Sequence, residues 1–239
     1  NNPLIEIVAI NDIADTKTLA HLLKYDSIHR AFKSSVTAEG DHLIINEKKI
    51  PVFSFKDPSQ LPWKQLNINT VVECSGHFLD MAGASLHIKA GAKKVILSAP
   101  PSDDVIKTIV MGVNDHTLNS NDIIISNASC TTNCAAPMLK VLEQFGIEEA
   151  YITTVHSYTS DQRLHDSPHK DLRRARAAAM SIIPTSTGAA KAINKIFPNL
   201  VGKIGGCGMR VPVADGSLTD ITCVLSKIPS PSEINVAFK

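Results

Sequence analysis

Neither charge sign is in excess in this chain: 24 lysines and arginines stand against 23 acids, a net charge of +1. That balance removes the electrostatic case for a nucleic acid or an anionic membrane as partner. The one basic run, KDLRRARAAA, is short. No apolar stretch has the length that spans a bilayer, and the opening NNPLIEIVAIND resembles neither a secretory signal nor a transit peptide. A cytoplasmic location is the expectation. Five cysteines, an odd number at irregular spacing, give no disulfide framework and point to reduced thiols. No second cysteine pair lies at metal-ligand spacing, so no metal centre is expected. There is no internal repeat and no low-complexity tract.

What is present suits a globular protein. With 239 residues, 44% of them apolar and 20% charged, the chain is long enough for one large or two ordinary domains with real cores. In the first half, strand-like runs alternate with helical ones: LIEIVAI with DTKTLAHLLKY, TVVECS with LDMAGASLHIKAGA, and KKVILSA with a Pro/Ser-rich loop and DVIKTIVMG. Continuous Val/Ile-rich strands separated by amphipathic helices are the signature of a mostly parallel sheet with helices on its faces. DHLIINEKKIPVFSF reads as a hairpin turning at Asn46–Glu47. After Cys130 one helix leads into AYITTVHSYTS, a polar His- and Arg-rich stretch, and the short strands GMRVPVA and LTDITCVLS, which suggest a mixed or antiparallel sheet. The fold class is α/β, with a parallel-sheet domain over residues 1–129 and an α+β domain over 130–239. The boundary falls where open α/β sheets hold their ligands.

A thiol stands at that boundary, in SNASCTTNCAAPMLKVLEQF. Ser129 is a helix cap, which leaves Cys130 in the first turn beside unpaired N–H groups and the positive dipole end. This setting favours thiolate. Cys134, one turn later on the same face, reads as packing or as a bystander open to oxidation. Cys74, Cys207 and Cys223, in apolar or Gly-rich surroundings, read as buried packing residues. A base for Cys130 is His156 in TTVHSYTSDQ, at the end of an apolar strand; most of the nine histidines are expected to be solvated or in the core.

At this point the motifs carry a resemblance. SNASCTTNCAAPMLKVL, TTVHSYT, HKDLRRARAAAMSIIPTSTGAAKAI and MRVPV resemble, in order and spacing, phosphorylating glyceraldehyde-3-phosphate dehydrogenase, and VAIND, LLKYDSIH, SAPPSDD and VMGVND extend the likeness through the first half. The resemblance implies a Rossmann-type NAD-binding domain followed by a catalytic domain, and NAD-dependent oxidative phosphorylation of glyceraldehyde 3-phosphate to 1,3-bisphosphoglycerate in glycolysis and gluconeogenesis. It makes Cys130 the nucleophile that forms a thioester and His156 the base. It assigns Thr159 and Arg210 to the substrate's own phosphate, and Thr131, Arg174, Thr187 and Gly188, with Ser129 beside the nucleophile, to the attacking inorganic phosphate. Guanidinium forks match phosphate oxygens, and hydroxyls and N–H groups near a helix start complete such a cradle. Arg173 and Arg176 stay with the solvated or subunit-contact reading. For the cofactor it implies Asn11 and Asp12 at the end of LIEIVAIND, where an acid bonds ribose hydroxyls and repels a 2′-phosphate. Lys56 reaches the adenine side, and Ser75, Gly76 and Ser98 line the cleft. A homotetramer is implied as well.

The chain departs from the pattern at both ends. It opens after the family's first βα unit, which carries the glycine-rich pyrophosphate loop, and it stops before the segment that closes the catalytic sheet. Asp215–Gly216 stands where a more apolar strand lead is expected, and HDSPHKD varies a loop near the cofactor. Competing readings are a related phosphorylated-aldehyde dehydrogenase, such as one for erythrose 4-phosphate, a cysteine–histidine hydrolase, and an inactive binding module.

Overall fold

The computed structural model describes residues 2–239. It divides into two compact units, one made of the residues up to Glu73 with Met81–Ile96, the other of Cys74–Asp80 with Leu97–Lys239.

In the first unit, β1 (Ile10–Asn11) leads to α1 (Thr16–Lys24), capped by Asp15, whose carboxylate accepts from the Thr18 N–H. Two short strands, β2 (Tyr25–Asp26) and β3 (Arg30–Ala31), pair with each other. β4 (Val36–Glu39), β5 (His42–Ile45) and β6 (Lys48–Phe53) form an antiparallel meander, and β6 also pairs in parallel with β1. The expected turn is there: Asn46 and Glu47 both have positive φ, 46° and 71°, as a two-residue hairpin turn requires. Leu43, Val52 and Ala20 pack α1 on this sheet. β7 (Thr70–Glu73), α2 (Met81–Lys89) and β8 (Lys94–Leu97) follow, over a cluster of Leu61, Trp63, Ile68, Ala90 and Ala92. LIEIVAI is strand only at its last residue, Ile10; Leu4, Ile5, Ile7 and Val8 are exposed, because β1 is an edge strand and these residues have no ladder to join.

The second unit starts its regular structure with β9 (Lys107–Thr108), parallel to β10 (Ile124–Ser126). The helical expectation for DVIKTIVMG is therefore corrected. Only Lys107–Thr108 is strand; Ile106, Thr108, Ile109 and Val110 are buried while Val105 and Met111 are exposed, and β-branched residues favour extended backbone over helix. α3 (Cys130–Glu143) packs against β11 (Ile147–Ser157), the central strand of a mixed sheet with β12 (Ile183–Thr185), β13 (Ile204–Val211) and β14 (Leu218–Leu225) in the order β12-β13-β11-β14. β11 runs parallel to β13 and antiparallel to β14. α4 (Ala189–Ile196) lies beside α3, and α5 (Pro231–Ala237) closes the described chain. Asp215 and Gly216, the latter at φ 83°, form the turn before β14, which explains why no apolar lead is needed there.

One face of the mixed sheet carries Ala150, Ile152 and Ile204 into a core with Ala135, Ala136, Leu139, Leu142, Ile193 and Leu200. α3 continues through Pro137 although a proline inside a helix costs about 3 kcal/mol, because buried side chains on both sides of it hold the helix in place. No helix among the described residues is long and apolar enough to cross a membrane.

Candidate active site

The sulfur sits on a deliberately shaped turn. Ser126 Oγ donates to the Ala99 carbonyl at 2.7 Å and accepts from the Ala128 N–H at 3.0 Å. Ala128, only 2% exposed, has φ 59°, a left-handed conformation that costs a non-glycine residue about 1 kcal/mol. Asn133 Nδ2 reaches back to the carbonyls of Asn127 and Ser129, at 2.7 and 3.0 Å. These bonds define where the helix begins. Ser129 is its cap, accepting from the Thr132 N–H at 3.1 Å, and Cys130 is its first residue, exposed to solvent.

His156 is delivered by strand period. Residues 150, 152, 154 and 156 share the sheet face that α3 covers, and β11 runs back along the helix, so the end of the strand meets the helix start. Cys130 Sγ lies 3.4 Å from His156 Nε2. His156 Nδ1 is 2.7 Å from the Ser157 carbonyl, which only accepts, so Nδ1 carries the hydrogen and Nε2 turns its lone pair toward sulfur. Arg210, the register partner of His156 on β13, places Nη1 3.0 Å from the same carbonyl and 3.2 Å from Thr159 Oγ1. Its two Nη1 hydrogens serve these two acceptors, and its 3.0 Å approach to Nδ1 follows from sharing the carbonyl. Burial holds the Arg210 guanidinium below the ordinary arginine range, and the Arg174 charge adds to this, while Asp161 and Cys130 act the other way.

Arg174 is held by side chains of the polar loop. Its Nη1 pairs with Asp161, and its Nη2 donates to the Ser186 carbonyl at 3.1 Å. Thr187 Oγ1 accepts from the Ala189 N–H at 3.3 Å, and Gly188 caps α4 with open space where a Cβ would stand. Thr131 is buried next to Cys130. The structure thus brings Cys130, His156, Thr159 and Arg210 together, with Ser129 and Thr131 on the same helix start. Arg173 donates to the Pro184 carbonyl and Arg176 pairs with Asp166, both on exposed side chains. The sequence reading missed Ser126, Ala128, Asn133 and Asp161; SNAS before the cysteine and DQ after TS were their only signals.

The expectation that Cys74, Cys207 and Cys223 are all buried is corrected. Cys74 is exposed, because it follows the last residue of β7, and Cys207 is half-buried against Tyr151 on the outer sheet face. Cys223 packs on the core, and burial pushes its thiol up. Cys134 is exposed rather than packed.

The cofactor candidates fall in both units. In the first, Asn11 exchanges two 3.0 Å hydrogen bonds with the Phe55 backbone, which sets Lys56 beside the end of β1. Asp12 Oδ1 accepts from the Ala14 N–H at 2.8 Å, and Oδ2 takes no hydrogen bond among the described residues. In the second, Ser75 Oγ accepts from the His77 N–H, Gly76 has φ 76° with no atom near its missing Cβ, and Ser98 is exposed just after β8. In the first unit, a strand-end carboxylate with an open oxygen fits free ribose hydroxyls; in the second, the glycine turn leaves room for close backbone approach.

Comparison with known proteins agrees with this geometry. Residues 1–81 match the family model described as glyceraldehyde 3-phosphate dehydrogenase, NAD binding domain, and residues 129–239 match its C-terminal domain. The chain is 51% identical over 241 residues to glyceraldehyde-3-phosphate dehydrogenase 1 of Bacillus cereus, covering 100% of this chain and 72% of the relative. It is similar to the Mycobacterium avium enzyme (54%; 98% and 70%) and to that of Geobacillus stearothermophilus (53%; 100% and 71%). Two domain matches in chain order, identity above half over nearly every residue, and a cysteine–histidine pair in contact lead to one conclusion: the chain belongs to the glyceraldehyde-3-phosphate dehydrogenase family.

Proposed function

We propose that Cys130 and His156 carry the reaction of this family, with the residues around them holding its two phosphates. The activity is that of an NAD-dependent phosphorylating aldehyde dehydrogenase of glycolysis, acting on glyceraldehyde 3-phosphate and inorganic phosphate. A relative specialised for erythrose 4-phosphate and an inactive binding module are not favoured by these matches.

The observation that carries the residue assignment is the 3.4 Å contact between Sγ and Nε2, with Nδ1–H turned to the Ser157 carbonyl. His156 accepts the thiol proton, Sγ attacks the aldehyde carbon, and His156 returns that proton to the carbonyl oxygen, giving a thiohemiacetal. His156 then takes the hydroxyl proton as hydride leaves that carbon, and a thioester remains on Cys130. NAD supplies the hydride acceptor when bound; Asn11, Asp12, Lys56, Ser75, Gly76 and Ser98 are the residues proposed to hold it. Phosphate attacks the thioester carbonyl, the carbon–sulfur bond breaks, and 1,3-bisphosphoglycerate departs. Sulfur suits this sequence because a thioester keeps enough group-transfer potential to form an acyl phosphate. Thr159 and Arg210 hold the substrate phosphate; Ser129, Thr131, Arg174, Thr187 and Gly188 surround the attacking one.

Residues 1–129 serve as the NAD-binding domain and 130–239 as the catalytic domain in this reading. Homotetramer formation is supported by the outer face of the mixed sheet, where Tyr151, Leu218 and Val224 are exposed. A cytoplasmic site of action is supported by five free thiols. The test follows reduced nicotinamide with glyceraldehyde 3-phosphate and NAD: sustained turnover requires phosphate or arsenate and disappears in Cys130→Ser with NAD affinity retained. Turnover that continues without either anion, or in the serine variant, contradicts the assignment.

A further inference from the structure

We propose that Asp161 is a positioning residue for the attacking phosphate: it fixes the plane of the Arg174 guanidinium. The inference rests on the assignment of Arg174 to that phosphate. Arg174 is largely buried, with 17% of its side chain exposed, and its surroundings form a closed polar ring. Asp161 Oδ2 takes Nη1, while Asp171 Oδ2 lies 3.5 Å from Nε. His169, whose side chain is 8% exposed, joins the two acids. Its Nδ1 lies 2.9 Å from the Asp171 backbone nitrogen and 3.0 Å from the Asp171 carbonyl, and its Nε2 lies 3.7 Å from Asp161 Oδ1.

The ring constrains the guanidinium without exhausting it. Of its five N–H donors, Asp161 takes one from Nη1 and the Ser186 carbonyl one from Nη2, and a hydrogen remains on each for an incoming anion. Ser186 adjoins Thr187 and Gly188, so the same bond ties Arg174 to the start of α4. Asp161 has a second effect. Arg174 and Arg210 repel, and Asp161 opposes that repulsion. Without Asp161, Arg174 loses its partner on Nη1 and is driven from the neighbouring charge, so phosphate must order it anew at each binding event.

The test separates the two half-reactions. The first-turnover burst of reduced nicotinamide without phosphate reports steps up to the thioester, and the steady-state phosphate KM reports the second half. Asp161→Ala is expected to raise the phosphate KM about tenfold, the scale of losing one hydrogen bond to a charged group, with burst rate and amplitude unchanged. Asp161→Asn, which keeps an oxygen to accept from Nη1, restores most of this loss. An unchanged phosphate KM in Asp161→Ala overturns the proposal. So does a burst that falls along with it, which marks a general structural role, or an Asn variant as impaired as Ala. Should Asp161→Ala not fold, Asp161→Glu, which displaces the carboxylate by one methylene, is expected to raise the phosphate KM in its place, and no change there overturns the proposal equally. Arg174→Gln is the control: if it leaves the phosphate KM unchanged, the assignment of Arg174 fails; if it raises that KM while Asp161→Ala does not, only the role of Asp161 fails.

Discussion

At the scale of single residues, the chemistry depends on small groups that fix larger ones. His156 is aimed by one carbonyl, and Cys130 by a cap, a strained alanine and the Asn133 amide. Replacing His156 with Asn removes the group in contact with sulfur, so alkylation of Cys130 by iodoacetamide at neutral pH is expected to slow by at least tenfold. An unchanged rate would deny His156 any hold on the thiol. Ser129→Ala removes a cap worth about 1 kcal/mol and frees the turn that carries Cys130, so both melting temperature and burst rate should fall. Cys130 and His156 were legible because a cap, a helix start and a strand end each have local signals. Asn133 and Asp161 were not, since their partners are a backbone carbonyl and an arginine 13 residues away, and nothing in local spacing announces either contact. Cys74 misled because its apolar neighbours lie on the strand that it has already left.

At the scale of elements, hydrophobic pattern and turn chemistry were informative where one face of an element has a partner to pack on. The Asn46–Glu47 hairpin, α1, α3 and the three long strands after Cys130 stand where the pattern put them. LIEIVAI and DVIKTIVMG show the two ways it fails: apolar content does not make a strand without a ladder to join, and a short β-branched run cannot be told from a helix by content alone. Leu139, fully buried between α3 and the sheet, is the anchor of the second unit's core; Leu139→Ala should cost about 2–5 kcal/mol in denaturant unfolding. A loss below 1 kcal/mol would mean that the core closes over the gap. Acid should act on helix ends. Hydrogen bonds from the Thr18 side chain and backbone hold the Asp15 carboxyl below its ordinary 3.8, and those from Ser230 hold Glu233 below 4.5. Because both folded values are depressed, their contributions are complete above the ordinary values and vanish as pH falls through the folded ones. Amide exchange protection at the starts of α1 and α5 is expected to hold down to about pH 4 and to drop below it; loss already near pH 6 would exclude these carboxylates as its cause.

At the scale of the whole molecule, one of the two compact units alone carries the thiol, the imidazole and the two arginines proposed to hold phosphate. Val224→Asp, on the exposed sheet face proposed for assembly, should shift sedimentation from the proposed tetramer toward smaller species while leaving the Cys130–His156 pair intact. An unchanged sedimentation coefficient would remove that face from assembly. The central claim is that the substrate carbon passes through a covalent bond to one sulfur. Mass spectrometry after mixing the enzyme with glyceraldehyde 3-phosphate and NAD, without phosphate, tests it directly: the predicted result is one phosphoglyceryl group per subunit on the peptide containing Cys130, formed with one equivalent of reduced nicotinamide and discharged when phosphate is added. Reduced nicotinamide formed with no such adduct, or with the acyl group on Cys134 or another residue, would contradict the account.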